Sequence, residues 1–210
     1  MLPSMSDMHF YEPATGHGLP HDPFKAIVAP RPVGWISTLS AAGRPNLAPY
    51  SFFNAVGDTP PMVAFSSSGA KHSVENAEAT GEFVCNLATR ALADAMNATS
   101  AVVPEEVDEF TLAGLEPAPS RIVAPPRVAA SPATLECRLL QVIDLVDLDG
   151  VSTGNRLAIG QVVGVHIDRA YLRDGLFDTA AAGAIARAGY RDEYFEATPE
   201  TLFRMLRPDA

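Results

Sequence analysis

The run Ser66-Ser67-Ser68-Gly69-Ala70-Lys71-His72-Ser73 gathers the groups of this sequence best suited to hold an anion. It leads from the apolar run Met62 to Phe65, through three hydroxyls and a glycine, to a lysine and the start of a predicted helix. Hydroxyls, free backbone N–H groups and the positive end of a helix dipole all suit a phosphate. Lysine is scarce, since Lys25 and Lys71 are the only two among 15 basic residues, so an ammonium in this loop stands out. A solvated polar loop would look the same, and the residues alone leave both readings open. The run is not a Walker A loop, because Gly69 lacks the earlier glycine of that pattern. No GxGxxG follows a predicted strand either, so a Rossmann nucleotide site has no support.

Trp35 and the run Tyr50-Ser51-Phe52-Phe53-Asn54 make a second group. Aromatic faces stack on flat ligands, and the backbone of an exposed strand can hydrogen-bond the polar edge of a heterocycle. The same side chains would serve equally as barrel core. Other candidates fall away. His9, His17 and His21 lie in an arm with no ligand spacing, so no metal is expected. His166 sits mid-strand in a valine-rich run and reads as a packed histidine. Ser51 and Ser73 lack the Gly-x-Ser-x-Gly elbow of a nucleophile. The acids Glu105, Glu106, Asp108 and Glu109 read as a solvated face.

The elements that must position these groups follow from period and punctuation. Strands are predicted over Val33 to Leu39 and Ser51 to Val56, with Ala42-Gly43-Arg44-Pro45 as a turn between them. Met62 to Ser67 is a short apolar strand whose approach is fixed by Pro60-Pro61. Ser73 is a candidate N-cap for a helix with Glu75 in its first turn and Gly81 beyond its last. Phe83, Cys85 and Leu87 alternate with Glu82, Val84 and Asn86, the period of a strand. Thr89 is placed to cap a helix running to about Thr99. Residues 100–132, rich in proline and acid, form a loop excursion. Thr134 to Val146 and Arg156 to Asp168 are long β-rich runs. Thr198 and Pro199 are placed to cap a last amphipathic helix carrying Leu202, Phe203, Met205 and Leu206. About six strands with few helices favour an antiparallel barrel over a βαβ sheet.

Composition narrows the function. A formal charge of −10 opposes nucleic acid and anionic membrane as partners. Hydrophobic content of 47% with 19% charged residues leaves apolar surface to hide, as at an oligomer interface. Cys85 and Cys137 each lie in an apolar alternating run and read as buried thiols of a reducing compartment. No apolar run reaches membrane-spanning length, and the first 24 residues carry no lysine or arginine, unlike a signal peptide. A cytoplasmic location is expected.

The words Arg31-Pro32-Val33-Gly34-Trp35-Ile36-Ser37-Thr38, Asn46-Leu47-Ala48-Pro49-Tyr50-Ser51-Phe52-Phe53-Asn54, Ser66 to Ser73 and Glu82-Phe83-Val84-Cys85-Asn86, in this order, resemble the flavin reductase-like, FMN-binding split-barrel family. His9-Phe10-Tyr11 and Pro23-Phe24-Lys25-Ala26-Ile27 resemble its flavoredoxin-like branch. Arg187-Ala188-Gly189-Tyr190 approximates a C-terminal family signature, departing from it at Ala188. The resemblance implies a mainly β, antiparallel split barrel with a few short helices, residues 25–210 forming one domain behind an arm of residues 1–24. It implies that the backbone of Ala48, Pro49, Tyr50, Ser51 and Phe52 lines an isoalloxazine. The region from Ser66 through Lys71 and His72 to Ser73 would hold the ribityl phosphate, and Trp35 and Ser37 would flank the flavin. It further implies FMN as cofactor, NAD(P)H as reductant and a homodimer. The flavin would carry the chemistry, so no catalytic acid or base is named. A non-enzymatic FMN electron carrier and a flavin-binding module without turnover fit the same motifs, and a partner monooxygenase receiving reduced flavin is left open.

Overall fold

The computed structural model describes residues 7–69, 71–206 and 208. Seven strands build its main sheet: β1 (Gly34–Leu39), β2 (Pro45–Tyr50), β3 (Phe53–Asp58), β4 (Pro61–Ser68), β5 (Glu82–Leu87), β6 (Ala133–Val146) and β7 (Ser152–Ile167). Their order is β2-β1-β5-β6-β7-β4-β3, every neighbouring pair antiparallel. The two strands at opposite ends of this order, β2 and β3, are joined in the chain by Ser51 and Phe52 alone. The sheet must therefore curl until its ends meet. No ladder joins β2 to β3 among the described residues, so the barrel stays split at that seam. Gly34 shows how close the closure is: a Cβ there would lie 2.6 Å from the Phe53 ring. Register shifts in the β6–β7 pair bend this long hairpin around the barrel.

The interior holds Ile36, Tyr50, Phe65, Phe83, Cys85 and Cys137. A helix, α1 (His72–Thr80), closes one end by inserting Val74 and Ala77, three residues apart on one face. Gly81, at φ 76°, ends it in the left-handed conformation. A second core lies on the outer face of β1 and contains Val33, Trp35, Leu47, Met96, Phe110, Val128 and Ile185. It is covered by α2 (Ala93–Ala98), α3 (Glu109–Leu112) and the rest of the 100–132 excursion. Asn86 ties the layers together, its Nδ2 donating to the Trp35 carbonyl and its Oδ1 accepting from the Val128 N–H.

Several sequence expectations shift. β2 is a strand of its own, and the predicted Ser51–Val56 strand begins only at Phe53. β2 carries prolines at 45 and 49, tolerated because it is an edge of the hydrogen-bonded sheet. Residues 83–86 are buried without alternation, because the excursion covers the outer face of β5. Lys71, not Ser73, is the N-cap residue of α1, and its side chain makes no capping bond. Thr89 likewise caps no N–H with its side chain, and Arg90–Leu92 is a 3₁₀ turn leading into α2. The predicted C-terminal helix is only a turn, Pro199–Thr201. Leu202, Phe203, Met205 and Leu206 follow it exposed, with no core among the described residues for a helical face to bury against.

Candidate functional site

β2 and α1 meet at an open corner. The last half of β2 supplies Ala48, Pro49 and Tyr50, and the start of α1 supplies Lys71, His72 and Ser73. Residues 99–103, which leave α2, close the third side of a cavity of about 270 Å³. The first N–H groups of a helix have no partner inside it, and here no side chain caps them. The Lys71 ammonium stands 5.9 Å from the centre of the Tyr50 ring and forms no ion pair among the described residues. An uncapped helix start beside a free ammonium is a place for an anion.

The walls are fixed by hydrogen bonds. Asn46 Nδ2 donates to Ser73 Oγ over 2.8 Å, holding the first turn of α1 against β2. The Tyr50 hydroxyl faces the Ser73 and Ser67 hydroxyls, and burial raises its pKa against their opposing pull. Tyr50 thus stays a neutral phenol. Glu109 is buried at the back of the cavity, where its carboxylate accepts the Leu47 N–H. Burial raises its pKa, while hydrogen bonds from the backbone and the neighbouring His72 pull it down. Trp35 works from behind: its Nε1–H donates to Thr99 Oγ1 over 2.9 Å, and Thr99 in turn donates to the Met96 carbonyl.

Of the residues singled out in the sequence, Ala48, Pro49, Tyr50, Lys71, His72 and Ser73 come together around this cavity. Trp35 and Ser37 do not reach it. Both are fully buried on β1, and Ser37 donates to the Pro126 carbonyl. Ser51 and Phe52 form the β2–β3 link, with Phe52 exposed. Ser66 lies on β4, its N–H bonded to the Phe52 carbonyl. Ala70 lies outside the described residues. Sequence reasoning missed Asn46, Thr99, Val102, Val103 and Glu109 as lining residues. Asn46 stood inside a quoted motif and Thr99 at the end of a predicted helix; Glu109, read as part of a solvated face, is instead buried, and Val102 and Val103 come from a segment whose loop composition carries no signal of where it folds.

A family model described as the flavin reductase like domain matches residues 28–183. The chain belongs to the flavin reductase-like family. A Deinococcus radiodurans protein is 35% identical over 202 residues, spanning 90% of this chain and 86% of its own. Among solved structures, nitrilotriacetate monooxygenase component B from Bacillus cereus superposes with a TM-score of 0.78 at 28% identity, covering 88% of this chain and 90% of that one. Flavoredoxin of Desulfovibrio vulgaris (Miyazaki F) shares the fold, with a TM-score of 0.72 at 24% identity over 85% of this chain and 90% of its own. This flavin reductase-like chain is therefore a split-barrel flavoprotein with a flavin-linked redox role. No helix among the described residues is long and apolar enough to cross a membrane.

Proposed function

We propose that the protein binds FMN in the corner between β2 and α1 and acts as an NAD(P)H-dependent flavin reductase in the cytoplasm. The observation that carries this reading is the pairing of an uncapped helix start and a Lys71 without an ion pair with a concave wall built from β2. That donor set fits the cofactor. Lys71 and the first N–H groups of α1 suit a phosphate dianion, with Ser73 held in place by Asn46. The Ala48–Tyr50 backbone, running on to Ser51 and Phe52, suits the polar edge of a flat ring. Thr99, oriented by Trp35, and the apolar Val102 and Val103 would exclude water from one side. Glu109 opposes a second negative charge at the back of the cavity, which favours seating the phosphate at the Lys71 end. When bound, FMN supplies the hydride-accepting ring, and the protein supplies binding and orientation.

The likeness to a monooxygenase component supports transfer of reduced flavin to a separate oxygenase. Leu140, Ile143 and Val165, exposed along the β6–β7 hairpin, support a homodimer in which a second copy covers them. The test is an anaerobic titration of the FMN-loaded protein with NADH and with NADPH, followed by visible absorbance. Bleaching with either, together with turnover of added free FMN, is expected. An FMN that stays oxidised with both yet bleaches with dithionite would hand the case to an electron carrier.

A further inference from the structure

A second and larger cavity, of about 480 Å³, lies between α2 and the C-terminal strands Ile185–Arg187 and Tyr194–Glu196. Arg90, Arg187 and Arg191 line it, with Asp94 and Asp192. None of the three arginines forms an ion pair among the described residues, although both carboxylates share the cavity. Arg187 is held in place: its guanidinium lies 4.6 Å from the centre of the Tyr194 ring and donates to the carbonyls of Tyr190 and Arg191. Directly across the strand pair from Arg187 stands Arg31. Arg31 is 5% exposed and donates to the carbonyls of Lys25, Val28 and Ala188, while its Nε has no partner. Burial first, and the charge of Arg187 second, push the Arg31 pKa down.

Like charges at directly opposed strand positions are destabilising, so an anion beside Arg187 would stabilise this pair. Three guanidinium groups line the cavity with two carboxylates, and a fourth, Arg31, lies buried across the strand pair, in a chain whose formal charge is −10. The field is therefore local. Guanidinium forks match phosphate oxygens in a bidentate way. Carboxylates accept hydrogen bonds from sugar hydroxyls, as they do at ribose sites. Met96 and Ile185 add an apolar floor for a base.

We propose that this cavity binds a nucleoside phosphate, with Arg90, Arg187 and Arg191 on the phosphate oxygens and Asp94 or Asp192 on ribose hydroxyls. The phosphate belongs either to a free nucleotide or to a dinucleotide reductant, and the proposal stands independently of the FMN corner. Isothermal titration calorimetry and equilibrium dialysis of the FMN-loaded protein with ADP, NADPH and inorganic pyrophosphate test it. ADP should bind once per chain, and Arg90→Ala and Arg191→Ala should each weaken it about tenfold, the loss of one charge-assisted contact. FMN affinity should not move in either variant, because neither side chain touches the FMN corner. Competition between NADPH and ADP assigns the cavity to the dinucleotide, and binding of ADP alone assigns it to a free nucleotide. Absence of ADP binding by both methods overturns the proposal, as does unchanged affinity in both variants. Pyrophosphate binding as tightly as ADP overturns the nucleoside part. Flavin bleaching, read on the same samples, judges the reductase reading separately.

Discussion

Glu136 is the carboxylate whose loss should cost this fold most. It is fully buried on β6 and accepts the N–H groups of Arg121, Ile122 and Val123 at 2.8, 2.6 and 3.0 Å. His166 Nε2 lies 2.5 Å from its Oε1, the oxygen that also accepts the Arg121 N–H. Burial alone would push its pKa up, but the His166 hydrogen bond and the three N–H groups outweigh it and hold the pKa at about 2, against an ordinary 4.5. At 1.36 kcal/mol per pKa unit, the fall from 4.5 to about 2 corresponds to at most about 3–4 kcal/mol of native stability. Because the folded value is the lower one, that stability is complete above about pH 4.5 and fades as the pH falls toward 2. Glu136→Gln keeps the shape, removes the charge and turns one acceptor into a donor facing N–H groups. Urea denaturation at pH 7 should show a loss of about 2–3 kcal/mol, and the gap from the parent should narrow steadily between about pH 5 and pH 3. FMN affinity should fall as well, because the 121–123 segment anchors the excursion whose first residues wall the cavity. A variant within about 0.5 kcal/mol of the parent at pH 7, or a gap independent of pH, would refute this account of the clamp.

Lys71→Ala should weaken FMN by about 1.5–3 kcal/mol and leave riboflavin, which lacks the phosphate, nearly unaffected; equal losses in fluorescence titrations would move the phosphate elsewhere. Gly34→Ala should destabilise the fold by about 1–3 kcal/mol in thermal or urea unfolding, since the new methyl meets the Phe53 ring at the barrel seam, and a neutral result would mean that the seam gives way easily. Trp35→Phe should cost about 1 kcal/mol of stability through the lost Thr99 hydrogen bond, while spectra of bound FMN stay unshifted; a large spectral change would put Trp35 against the flavin. Light scattering at micromolar protein should give a dimeric mass, and a monomer would remove the role proposed for the β6–β7 face.

The parts of this fold that the sequence announced are those with a one-sided environment. The long β-rich runs of β6 and β7, the apolar run of β4 and the glycine-stopped α1 each carry their own composition or punctuation, and Lys71 drew notice through its rarity. What escaped was decided by long-range contacts. β2 carries Pro45, read as part of a turn, and Pro49, and only its place at the edge of the ladder makes these prolines harmless in a strand. Trp35 reads equally well as a ligand platform or as core until the excursion folds back over β1, which depends on two buried polar groups far apart in the chain. Asn86 takes the Val128 N–H and Glu136 takes those of residues 121–123. Neither bond leaves a periodic trace. The same fold-back brings Thr99 to the cavity, with Glu109 on α3 behind it, so half of the wall was invisible for the reason that Trp35 was ambiguous. The C-terminal stripe of Leu202, Phe203, Met205 and Leu206 is the converse case. Its helical period is plain in the sequence, yet the described chain offers that face nothing to bury against, and it forms no helix. Period predicts an element only when a partner surface completes it, and in this protein the candidate cavity is built where that partner comes from a segment without period.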